Sequence, residues 1–205
     1  MRQAASPDIE TGPIVGILLA AGRGSRYDPA GMRDKLLQPL PNGELVAVAA
    51  ARNLLAALPK VLAVVRQDAH TLAAQLQEIG CDIAVCANAD EGMAASLVEG
   101  VSRTRDAAGW VIALADMPYV QPTTMSALVG ALQGGAQIAA LTYRGRRGNP
   151  VAFGRTHLTN LLSLHGDEGA RRLLMAFPFV AIATDDPGIA QDIDIPEDIL
   201  AKQAP

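Results

Sequence analysis

Aromatic residues are scarce in this chain: one Trp, three Tyr and three Phe among 205 residues. The interior must therefore be built from Ala, Leu and Val, within a composition that is 50% hydrophobic. Cysteine is equally sparse. Cys81 and Cys86 lack the spacing of zinc ligands and have no histidine cluster nearby, so idle thiols in a reducing cytosol are expected. Basic charge is also lacking. The 17 Lys and Arg against 21 Asp and Glu leave a formal net charge of -4, which argues against a nucleic-acid surface but permits a local cationic pocket. His70, His157 and His165 are scattered, none beside a Ser or Cys nucleophile, so a hydrolase triad has little support. Residues 1–12 are polar and lack the apolar core of a signal peptide. No segment is long enough to span a bilayer, and the expectation is a cytoplasmic protein with no membrane partner.

What the chain does have is alternation. Residues 14–19 read as a buried parallel strand. Residues 44–58 read as a helix ending near Pro59, 61–65 as a strand, and the next helix, capped by Asp68, runs to about Ile79. Strands at 82–86, 110–115 and 137–142 alternate with helices at 93–105 and 122–132. Beyond Tyr143 the pattern loosens into a short strand at 151–153, helices at 155–164 and 168–176, and a last strand at 179–183. Helices between successive strands imply parallel pairing with right-handed crossovers. The length, with no repeat or interdomain linker, predicts one compact α/β domain over residues 14–205 behind a flexible segment at 1–13.

The candidate chemistry lies at the carboxyl ends of strands, where open α/β sheets bind ligands. Leu19-Ala-Ala-Gly-Arg-Gly-Ser-Arg26 follows the first strand. Gly22 and Gly24 permit a tight turn whose amides approach a phosphate chain, with Arg23, Arg26 and the downstream Lys35 adding charge. The pattern is neither G-x-G-x-x-G nor a P-loop. Asp116 closes the apolar strand 110–115; it caps the Met117-Pro118 turn or binds a cation. In Asp192-Ile-Asp-Ile-Pro-Glu-Asp198, alternation puts Asp192 and Asp194 on one face as a second metal contact. Pro196 then opens a short helix, with Glu197 and Asp198 at its exposed start. Gly92 opens another helix with free backbone donors, and Ser96 either contacts a ribose or base or faces the helix surface. Residues 144–151 read as a solvated basic hairpin turn. Residues 166–171 read as a helix start capped by Asp167, whose exposed amides could hold an anion.

Taken in order, these segments resemble the molybdenum cofactor cytidylyltransferases. The L-A-A-G loop and its lysine are matched by residues 19–26 and Lys35. The G-[LM]-x-x-S-L element is matched by 92–97, D-M-P by 116–118, R-G-x-P-V-x-F by 147–153, G-D-x-G-A-R by 166–171, and D-I-D-T-P-E-D by 192–198. Two departures stand out: residues 27–34 lengthen the loop before Lys35, bringing Arg33 in as a rival cation, and Ile195 replaces the family threonine. The resemblance implies a Rossmann-like nucleotidyltransferase fold, three-layer α/β/α with a mostly parallel mixed sheet. It implies transfer of CMP from CTP to the phosphate of a molybdopterin-type acceptor, with Mg²⁺ and release of pyrophosphate. An apo-molybdoenzyme would receive the product. Leu19, Ala20, Ala21, Gly22, Arg23, Gly24, Ser25, Arg26, Lys35 and Ser96 would bind nucleotide, with Lys35, Arg26 and Asp116 catalytic. Asp116 and Asp194 would hold the metal, and Asn149, Gly169, Ala170 and Arg171 the acceptor. Related guanylyltransferases tend to carry L-A-G-G, so Ala21 leans the base toward cytosine. Use of GTP, a sugar or polyol phosphate acceptor, and a non-catalytic cofactor carrier are the alternatives.

Overall fold

The computed structural model describes residues 12–201 apart from Gly31 and Glu168. Most of the segment expected to be flexible lies outside the described residues, but Gly12 and Pro13 already belong to the first strand. That strand, β1 (Gly12–Ala20), is followed by α1 (Val46–Ala57), β2 (Val61–Arg66), α2 (His70–Glu78), β3 (Asp82–Cys86) and α3 (Met93–Arg103). Next come β4 (Ala107–Leu114), α4 (Pro122–Gln133), β5 (Ile138–Tyr143) and β6 (Arg146–Gly154). Short helices α5 (Leu158–Leu162) and α6 (Arg171–Ala176), strand β7 (Val180–Ala183) and α7 (Asp198–Ala201) complete the described order.

The strands form one seven-stranded mixed sheet in the order β3-β2-β1-β4-β6-β5-β7. Parallel pairing holds for β1 with β2 and β4, β2 with β3, and β5 with β7. The exception is β6, antiparallel to both β4 and β5. The alternation rule gave parallel pairs wherever a helix intervenes, whereas β5 and β6 are joined by the tight basic turn at Arg144 and Gly145. Such a turn can only return the chain antiparallel. The segment expected as a three-residue strand extends instead over nine residues, because it finds a partner on each side.

Both faces of the sheet are covered, which is why β1 and β4 read as almost unbroken apolar runs. Leu18, Ala20, Val111 and Ala113 point to the layer of α1, α2 and α4, where Leu54, Leu72, Leu76, Met125 and Leu128 meet them. Ile17, Val64, Trp110 and Ile112 point the other way, to Leu97, Val101, Leu161 and Leu174 of α3, α5 and α6. The one tryptophan is fully buried, and its indole N–H donates to Thr104 Oγ1 at 2.9 Å. His157 is buried between the rings of Phe153 and Phe177, away from any nucleophile.

Several helix starts differ from expectation. Asp68 does not cap α2, because its carboxylate turns back to Arg66 Nε at 3.0 Å. Asp167 does not cap α6 either; that helix begins later, at Arg171. The C-terminal helix starts at Asp198 rather than Pro196, and Asp198 accepts the amides of Asp194 and Ile195 instead of standing idle at an exposed helix end. No helix among the described residues is long and apolar enough to cross a membrane.

Cys81 and Cys86 are free and buried. Burial pushes the Cys81 thiol up to about 11 and raises Cys86 as well. Since the thiolate is the reactive form, a disulfide reagent at about pH 8 should titrate no thiol on the folded chain and both after denaturation. Prompt reaction of either one in the folded state would contradict this packing.

Candidate active site

The strand order reverses between β1 and β4, and that reversal places the site. From β1 the chain winds outward through β2 to β3 before α3 carries it back to β4 on the other side. Leu19 pairs in register with Leu114, and the Ala115 amide donates to Leu19 O at 3.0 Å. The loop after β1 and the Asp116 turn after β4 therefore leave the sheet side by side, at the switch point where such sheets bind ligands.

The loop turns at Gly24, whose φ of +62° an L side chain rarely adopts. There is also no slack on its inner side, since a Cβ there would lie 3.2 Å from Lys35 Cγ. Arg66, at the end of β2, holds the loop by donating to Gly22 O at 2.8 Å. Arg23 reaches across to Asp90 with two parallel bonds of 2.6 and 2.5 Å. The hydrogen bond from Arg23 holds the Asp90 carboxyl below its ordinary range.

Lys35 sits on a short 3-10 turn, Lys35–Leu37, started by Asp34, which accepts the Leu36 amide. Its ammonium donates to Asp116 Oδ2 at 2.6 Å and to Ile193 O at 3.0 Å, and lies 3.6 Å from Asp194 Oδ1. The second Asp194 oxygen pairs with Arg26. The Ile193 amide in turn donates to Asp116 O at 2.8 Å, so the C-terminal acidic segment is fastened to the end of β4. Within this cluster Asp116 Oδ1 is buried and has no hydrogen-bond partner.

These groups border a cleft with two lobes that share Leu19, Met93, Leu114 and Asp167. The first, of about 370 Å³, is lined by Ala21, Gly22, Arg23, Gly24, Lys35, Ser96 and Asp116 among others. The second, of about 440 Å³, combines Arg147, Asn149 and Arg171 with an apolar wall of Leu97, Ile112, Val151 and Leu174. The expected nucleotide residues thus mostly line the first lobe. Ala20 is buried beneath it, and Ser25 and Arg26 lie outside its lining on the exposed side of the loop. Ser96 is buried and donates to Met93 O at 3.0 Å. Of the expected acceptor residues, Asn149, Ala170 and Arg171 line the second lobe, whereas Gly169 packs behind Met93. Arg33 is not placed to stand in for Lys35, because it is paired with Asp28 at 3.8 Å and lies over the Tyr27 ring.

The amides at the start of α3 are not all free, as Ala94 N–H donates to Gly166 O at 3.0 Å. Asp90, Arg66 and Asp34 were missed from the sequence, and Asp167, read there as a helix cap, lines both lobes. Only the bulk position of Arg66 at a strand end could have signalled any of them.

With the geometry in place, comparison with known proteins is decisive. The family model described as MobA-like NTP transferase domain matches residues 16–181. The chain belongs to that family. It is 31% identical over 201 residues to the purine catabolism protein PucB of Bacillus subtilis (strain 168), covering 90% of this chain and 93% of the relative. A nucleotidyl transferase from Methanothermobacter superposes with a TM-score of 0.77 at 25% identity, covering 92% of this chain and 95% of that one. Rv0371C of Mycobacterium tuberculosis H37Rv, solved as a complex with manganese, gives 0.74 at 27% identity, covering 91% and 96%. As a MobA-like NTP transferase, the chain has the α/β nucleotidyltransferase fold and is a nucleotidyltransferase acting on a nucleoside triphosphate and a small-molecule acceptor.

Gly92 lines the first lobe and lies against residues 166 and 167. Its φ is +112°, and a Cβ there would fall 2.5 Å from Asp167 Oδ1 and 2.6 Å from Gly166 O. Gly92→Ala should therefore cost roughly 2 kcal/mol of stability by strain and clash, read by urea denaturation. An unchanged midpoint would mean that residues 166 and 167 are not seated against Gly92 as described.

Proposed function

We propose that this chain transfers CMP from CTP to the phosphate of a molybdopterin-type acceptor, with release of pyrophosphate and a requirement for Mg²⁺. The observation that carries the reading is Asp116 Oδ1, a buried oxygen without a partner, set between a glycine-rich loop and the paired charges of Lys35, Arg26 and Asp194. An isolated buried carboxylate oxygen is costly, and a divalent ion is the partner such an oxygen accepts best. Asp116 and Asp194 would hold that ion, and it would offset charge on the transferring phosphate. Two carboxylates suit magnesium, which fills the rest of its shell with substrate phosphates and water. The manganese found with the mycobacterial relative supports a divalent metal here too.

Phosphoryl-type transfer leaves the protein mainly positioning and charge stabilisation. In this reading the amides around Gly22 and Gly24 cradle the triphosphate, and Arg26 and Lys35 meet charge on the pyrophosphate as it leaves. The acceptor is an anionic phosphate, so no general base is required, which fits the packing of His157 into the core. Arg147 and Arg171 would hold the acceptor phosphate while the apolar wall takes its flat body. Ala21 lines the first lobe where related guanylyltransferases tend to carry glycine, and that resemblance leans the base toward cytosine.

The test is pyrophosphate release with Mg²⁺, molybdenum cofactor as acceptor, and CTP, GTP, ATP and UTP in parallel. Turnover with CTP alone is expected. Turnover with GTP overturns the base, and silence with all four overturns the acceptor or leaves a carrier without chemistry. Lys35→Ala should lower turnover by about a hundredfold or more while the fold survives.

A further inference from the structure

Lys35 is the least available cation in the cleft. Its side chain is only 10% exposed, its stem runs beside Gly24, and an ammonium has three N–H donors and no acceptor. Asp116 Oδ2 and Ile193 O take two of them, and Asp194 Oδ1 is the third group it faces. Arg26 occupies the other oxygen of Asp194. Two carboxylates are thus met by two cations, and one of those cations stands between the carboxylates. These four side chains together carry no net charge, and among them Asp116 Oδ1 is the buried oxygen without a hydrogen-bond partner.

From this arrangement we propose that Lys35 is an internal counter-cation. It keeps Asp116 and Asp194 neutralised in the free chain, and the two take a divalent ion only together with the triphosphate that gives the ammonium another partner. The inference rests on the reading of Asp116 and Asp194 as metal-holding groups. Two physical points support it. Like charges close together in a partly buried site repel strongly, so a divalent ion beside an ammonium held 2.6 Å from Asp116 is disfavoured. Lys35 also borders the lobe assigned to the nucleotide, so an arriving phosphate chain meets the ammonium without passing through protein. Lys35 then has two successive duties: it holds the carboxylates in register while the site is empty of nucleotide, and afterwards it binds phosphate.

The experiment measures Mn²⁺ affinity by electron paramagnetic resonance, with Mn²⁺ alone and with Mn²⁺ plus CTP. It uses the full chain and the variants Lys35→Met, Lys35→Gln and Lys35→Met/Asp116→Asn. The parent chain should bind Mn²⁺ weakly alone and well with CTP. Lys35→Met should bind Mn²⁺ alone at least about tenfold more tightly, equivalent to 1.4 kcal/mol, and the added Asp116→Asn should abolish the gain. Lys35→Gln keeps a donor for Ile193 O, so it gives the same answer should loss of that bond unfold the methionine variant. A neutral variant no tighter than the parent, or a gain that survives Asp116→Asn, overturns the counter-cation role. No Mn²⁺ binding by any form, even with CTP, overturns the metal reading itself, and neither result depends on an acceptor or on turnover.

Discussion

The site depends on one pairing: β1 and β4 run parallel and in register, closed at their ends by the Ala115 amide on Leu19 O. Everything chemical hangs from the two chain ends that this pairing sets side by side. Residues on either side of that seam, Lys35 and Asp116, are 81 positions apart in sequence yet meet at 2.6 Å. The pairing is rigid because both faces of these strands are buried, with Ile17 and Leu18 fully enclosed on opposite sides. A shift of one residue would invert every side chain of β1 and bury the wrong set. Precision at the cleft is therefore a property of the core.

From that seam the construction becomes progressively more polar. Leu36 anchors the turn that carries Lys35, and Ile193 anchors the segment that carries Asp194. A buried apolar residue thus sits next in sequence to each charged one. This is how a chain with few aromatic residues holds long charged side chains still. The exposed Arg23–Asp90 pair is of a different kind, bidentate but open to solvent, and contributes little to stability. Its effect is local, tying the glycine loop to the segment before α3.

Much of this architecture is legible in the sequence because its signals are local. The apolar runs of β1 and β4, Pro122 at the start of α4, and the glycines at 22, 24 and 92 each report on their own neighbourhood. Asp116 stood out for a related reason: a carboxylate ending an apolar strand must cap, pair or bind a cation, and here it pairs with Lys35. What was not legible is pairing across distance. Nothing in residues 146–154 announces that they will insert antiparallel between β4 and β5. Nothing near Asp90 announces Arg23, 67 positions earlier. Caps failed for the same reason. Asp68 and Asp167 are sound capping residues by type, but Arg66 draws Asp68 back to itself, and α6 begins four residues after Asp167.

The antiparallel β6 has a consequence beyond pairing. Apart from Asp167, the first lobe is lined from within the first 116 residues, by β1, its loop, the start of α3 with the turn before it, and the end of β4. Most of the polar lining of the second lobe comes from β6 and the start of α6, later in the chain. The linings of the two lobes are thereby drawn largely from separate stretches of polypeptide, which share the wall of Leu19, Met93, Leu114 and Asp167. On the proposed assignment of the lobes, a change of acceptor would fall on residues 146–174 and leave the glycine loop and Asp116 untouched.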